Sequence, residues 1–169
     1  MQNNPRFKKS GFLLCLALVW SAGLSGCTTV PRPDAQLLYH NAKYDFSFSL
    51  PAGWRGYSVL FRQWESGEGE KAYLTHGPVI VLRHPQWKAA DPFQDIPILV
   101  FTRSQWEAEK QGRFSIGAGG LDEEIAHNAR YVFAISSRFA ADDTVKGWKE
   151  ADDIVARNRN ANEPHLQMQ

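Results

Sequence analysis

Cysteine is nearly absent: the 169 residues hold two, Cys15 and Cys27. Cys15 lies in an apolar run and Cys27 follows it, so nothing beyond residue 27 carries a thiol. That excludes a disulfide framework and a cysteine-ligated zinc site from the main part of the chain. A basic stripe is also missing. Without Arg6, Lys8 and Lys9 at the start, 16 basic residues are mixed with 18 acidic ones. A nucleic-acid partner needs a clustered basic face, so that class is set aside. His40, His76, His84, His127 and His165 are dispersed, with no His-x-x-x-His pair, and no metal site is expected. No Gly-x-Ser-x-Gly elbow supports a serine hydrolase. Gly117-Ala118-Gly119-Gly120 lacks the lysine of a phosphate loop and reads as a flexible loop. No cofactor is expected.

What is present begins at the N-terminus. Arg6, Lys8 and Lys9 precede an apolar stretch over residues 11–20, and small residues lead to Cys27. A basic start, a short apolar run and a small-residue site form a secretory signal. Leu24-Ser25-Gly26-Cys27 resembles the lipobox of bacterial lipoproteins. The resemblance implies that Cys27 receives a diacylglycerol, that a peptidase cuts after Gly26, and that the freed amine is acylated. Two or more acyl chains anchor stably where one does not. The membrane lipid is then the first partner, held through Cys27. A membrane-spanning helix over residues 11–30 has the length but not the composition, because Ser21, Gly23, Ser25, Gly26, Thr28 and Thr29 are poor hydrocarbon filler. An ordinary signal with an incidental cysteine is the other alternative. Family usage implies that Thr28, where inner-membrane lipoproteins carry aspartate, sends the protein to the outer membrane, facing the periplasm, in a Gram-negative cell.

The chain therefore divides into a signal peptide over 1–26, a lipidated N-terminus and tether over 27–40, one α+β domain over 41–157, and a polar tail over 158–169. Pro31 and Pro33 make the tether extended, and the tail is expected to fray. Tyr44, Phe46, Phe48 and Leu50 alternate with Asp45, Ser47 and Ser49, which predicts a half-buried strand. Pro51-Ala52-Gly53 turns the backbone, and Tyr57, Val59 and Phe61 alternate again, so a hairpin is expected between the two. Residues 66–71 form a polar tip, with a short strand after it over 72–75. Residues 79–83 and 96–101 are continuous apolar runs, which suit covered strands; Pro97 places the second run's start at an edge or a strand beginning.

Ser104 and Glu107 fit a capping box for a helix over about 105–111. Residues 121–128 read as a short helix, because Asp122, Glu123 and Glu124 favour a first turn. Residues 131–135 form another strand. Val145, Trp148, Ala151, Asp152 and Val155 share one face of a last helix over about 144–157. The fold class is α+β: a mostly antiparallel sheet of about five strands with helices packed on it.

Four blocks, residues 44–57, 77–87, 94–102 and 128–135, resemble a family of small, uncharacterised bacterial exported proteins, which implies no active site. Leu50-Pro51-Ala52-Gly53-Trp54 after an aromatic strand is similar to the opening of PsbP/Mog1-like domains. That likeness implies an α/β/α sandwich that binds or assists other proteins.

Among possible sites, His84 ends one strand and Asp95 precedes the next, with Trp87 and Asp91 between them. A histidine–carboxylate pair there would do acid–base work in a small envelope hydrolase. The alternative is ordinary loop chemistry, with Trp87 packed and the aspartates capping or solvated. Trp54 and Trp87 follow turns, and exposed they would stack on sugar rings in a glycan-binding module. Trp106 and Trp148 sit at helical positions that face a sheet. The leading expectation is a non-enzymatic binding or assembly module, anchored in the cell envelope and partnered by another envelope protein.

Overall fold

The computed structural model describes residues 36–67, 74–116 and 122–162. The lipobox with Cys27, the residues just after it, most of the polar tip, the glycines at 117–120 and the last residues of the tail lie outside the described residues. The chain runs β1 (Leu37–Asn41), β2 (Phe46–Leu50), β3 (Ser58–Glu65), β4 (His76–Arg83), β5 (Ile96–Thr102), α1 (Arg103–Lys110), β6 (Glu123–His127), β7 (Tyr131–Ile135) and α2 (Trp148–Asn162). β3, β4, β5, β7 and β6 form a five-stranded antiparallel sheet in that order, while β1 and β2 pair as a separate hairpin. The fold is α+β, as the periodicity predicts.

The apolar alternation explains the layers. On β4, Ile80 and Leu82 point to one face while Val79 and Val81 point to the other. β5 divides likewise, with Ile96, Ile98 and Val100 against Leu99 and Phe101. The first face is covered by Phe46, Phe48 and Leu50 of β2 and by Ala151, Ile154 and Val155 of α2. The second is covered by Trp106 and Ala108 of α1, with Phe114. Both faces of the central strands are therefore dry, which is why those runs are continuous rather than alternating. Fully buried side chains such as Phe48, Leu50 and Ile154 contribute about 2 kcal/mol each.

Several expectations are corrected. β2 does not pair with β3; it pairs with β1, and Leu37 lies opposite Leu50. A single 3-10 turn at Ala52–Trp54 and a left-handed Gly56 (φ 88°) carry the chain away to the sheet edge. Alternation fixes which face a residue occupies but not which strand lies beside it. Residues 37–40 belong to β1 rather than to an extended tether. The capping box belongs to Thr102 and Gln105, not to Ser104 and Glu107: the Gln105 amide donates to Thr102 Oγ1 at 3.2 Å, and Gln105 Oε1 accepts from the Thr102 amide at 2.8 Å. Thr102 ends β5 in extended geometry, so strand passes into helix with no loop between.

Residues 123–127 are a strand rather than a helix. The pairing shifts by one residue between Glu124 and Ala126, a bulge that turns both Ile125 and Ala126 inward. Two successive inward residues break the alternation that marks a strand. The last helix begins at Trp148 and reaches Asn162, so residues 158–162 are not a frayed tail. Its inner stripe is Ala151, Ile154, Val155 and Asn158; Asp152 is exposed and Val145 precedes the helix.

Candidate functional site

His84 follows β4 and is 6 % exposed. Its ring stacks on Phe93 at 4.2 Å and meets Trp54 edge-on at 5.1 Å. Nδ1 accepts the Gln86 amide at 3.1 Å, which assigns the neutral ring's proton to Nε2. Burial lowers the pKa below the ordinary 6.5, and Glu150 and Lys146 pull in opposite directions. The ring is held as a neutral aromatic wedge.

The carboxylates proposed to serve it are engaged elsewhere. Asp95 takes Arg83, from Nε at 3.0 and 3.2 Å and from Nη2 at 2.6 Å. The same guanidinium lies 3.8 Å over the Trp87 ring, so Trp87 is a stacking platform for Arg83. Asp91 takes the Lys146 ammonium at 2.6 Å. The structure therefore brings Arg83, Trp87 and Asp95 together, and Asp91 with Lys146. It forms no hydrogen bond between His84 and either aspartate among the described residues. No His84–aspartate dyad forms among the described residues. Trp54, expected to be exposed, is 1 % exposed and donates its indole N–H to Glu150 Oε1 at 3.2 Å. It has no free face for a sugar ring. Trp106 faces the sheet as expected, and Trp148 is half-buried. Among the described residues no group of three or more histidine, cysteine or acidic side chains is placed to hold a metal ion, and no helix is long and apolar enough to cross a membrane.

A concave feature lies elsewhere among the described residues. A cleft of about 370 Å³ opens where the β1–β2 turn meets the β6–β7 turn, lined by residues 42–45 and 128–131. Asn128 builds it. Its Nδ2 donates to the carbonyls of Tyr44 (2.8 Å) and Asp45 (3.1 Å), and its Oδ1 accepts the amides of Arg130 and Tyr131, both at 2.9 Å. Arg103 ties the Asn128 carbonyl down at 2.7 Å. Tyr44 and Tyr131 meet edge-to-face at 5.3 Å, and the Lys43 ammonium lies 5.0 Å from the Tyr44 ring centre. Lys43, Asp45 and Arg130 give the rim mixed charge. The cleft offers charged and aromatic contacts. Nothing in the local sequence around Asn128 signals that it bridges a turn more than 80 residues earlier. Leu38, Phe61 and Leu74 are exposed large apolar side chains, and Phe61 lies on β3, an edge of the main sheet.

No family model, no curated protein and no solved structure matches this chain.

Proposed function

We propose that the chain is a bacterial envelope lipoprotein, held in a membrane through acylated Cys27, whose folded part binds or helps assemble another envelope protein without catalysing a reaction. The observation that carries the reading is Leu24-Ser25-Gly26-Cys27 behind a basic start and a short apolar run. Thr28 then favours the outer membrane, facing the periplasm, in a Gram-negative host. The folded part supports a binding role in two ways. Asp91 and Asp95, the carboxylates that a hydrolase built on His84 would use, are taken by Lys146 and Arg83. The Asn128 cleft and the β3 edge with exposed Phe61 leave surface for a protein partner.

Two measurements test this. Cys27→Ser is expected to leave unlipidated precursor; mature protein of normal size on the membrane, with no lipid mass, would refute the anchor. Crosslinking of the lipidated wild type in membranes is expected to capture a specific envelope protein, and the double variant Lys43→Glu/Arg130→Glu to lose it while keeping the wild-type circular dichroism. Recovery of no specific protein by the wild type would refute the binding role.

A further inference from the structure

We infer that Glu109 and Asp122 share a proton, and that this proton is a latch between α1 and the start of β6, closed in acid and released as the medium becomes alkaline. Glu109 lies near the C-terminal end of α1 and is 2 % exposed; Asp122 directly precedes β6 and is 6 % exposed. The Asp122 amide donates to Glu109 Oε1 at 3.3 Å, which brings the two residues into contact across the chain. Glu109 Oε2 and both carboxyl oxygens of Asp122 have no hydrogen-bond partner among the described residues. Two ionised carboxylates in that position would be unpaired, desolvated and mutually repelling. A proton on one of them removes a charge and supplies the missing donor.

The surrounding groups agree. Burial first, and the Glu109 charge second, push the Asp122 carboxyl up to about 7, while the Ser137 main chain pulls it down. Burial also raises Glu109, against the Asp122 amide and Lys110 on its own helix. Lys110 is an incomplete counter-ion, because its ammonium is half-exposed and turned to Glu107 at 3.8 Å. The folded pKa is above the unfolded one, so the latch is fully present below about 4. It weakens as pH rises and is lost once pH passes the folded value near 7.

The experiment uses the full chain in detergent micelles. Carboxyl carbon NMR of the wild type from pH 4 to 9 is expected to show the Asp122 resonance titrating near 7 and shifting that of Glu109 with it. Ordinary titration of both below pH 5 overturns the proposal. Between pH 5 and pH 8 the unfolding constant of the wild type, divided by that of Asp122→Asn, is expected to rise on the order of a hundredfold. Glu109→Gln removes the neighbouring charge but leaves Asp122 buried, so it is expected to flatten the profile in part, and it serves if the first variant does not fold. Parallel pH profiles for wild type and a folded variant refute the shared proton. Calcium chloride at pH 8 gives the remaining outcome: stabilisation of the wild type but not of Asp122→Asn would mean that the pair holds a cation, and would overturn the proton.

Discussion

Asn158→Ala should cost far more than a substitution so near the end of the described chain ordinarily would. β2 pairs with β1 on one edge, and its other edge has no strand beside it among the described residues. Asn158 takes that place. Its Oδ1 accepts the Ser49 amide at 2.7 Å, and its Nδ2 donates to the Ser49 carbonyl at 2.9 Å and to the Ile154 carbonyl at 2.9 Å. The side chain is 5 % exposed, so water does not replace these bonds at once. Truncation strands the amide and carbonyl of a half-buried residue, each worth roughly 1–3 kcal/mol when unmade. Relaxation of the helix end recovers part of this, so the expected loss is about 2–4 kcal/mol. Urea unfolding of the full chain, followed by tryptophan emission, measures it. Asn158→Asp adds a sign: its second oxygen would face two carbonyls, so it should be less stable than Asn158→Ala at pH 7 and recover as acid protonates it. A loss below about 1 kcal/mol for the alanine variant would refute the idea that Asn158 substitutes for a strand.

Three further outcomes are expected. Gly77→Ala places a methyl group 2.5 Å from the Trp64 ring, which is buried and bonded to the Val100 carbonyl, so about 3 kcal/mol is lost and the near-ultraviolet dichroism of tryptophan changes; an unchanged midpoint would mean that β4 yields there easily. The His84 ring should titrate below 6.5 by proton NMR; its neutral form then stabilises the fold above 6.5, and that stability is lost as pH falls through the lowered value. Arg83→Lys keeps the charge but loses the two-nitrogen grip on Asp95 and the stacking on Trp87, at about 1 kcal/mol in thermal unfolding, since both side chains are partly exposed.

The strands were legible where local chemistry decides. β2 alternates, and β4, β5 and β7 are apolar on both faces because the sheet is covered on both sides. Their partners were not legible, since pairing depends on residues far along the chain. β6 was hidden by its bulge and by three acidic residues that suit a helix start equally well. The His84 cluster was found, but its electrostatics were not: Lys146, 55 residues beyond Asp91, takes that carboxylate. Glu109 did leave a signal. It lies three residues after Trp106, so a helix that buries Trp106 against the sheet also turns Glu109 inward.

The bond between Asn158 and Ser49 spans 109 residues, and it joins the hairpin at the front of the folded part to its last helix. During synthesis the hairpin is made before most of its cover exists. A two-stranded hairpin alone is marginal in water. The first face of the sheet therefore stays incomplete until α2 has been delivered, and closing so long a loop is slow. Folding of this layer waits for α2, and a chain truncated before Ala151 should remain a protease-sensitive polypeptide rather than a smaller folded one.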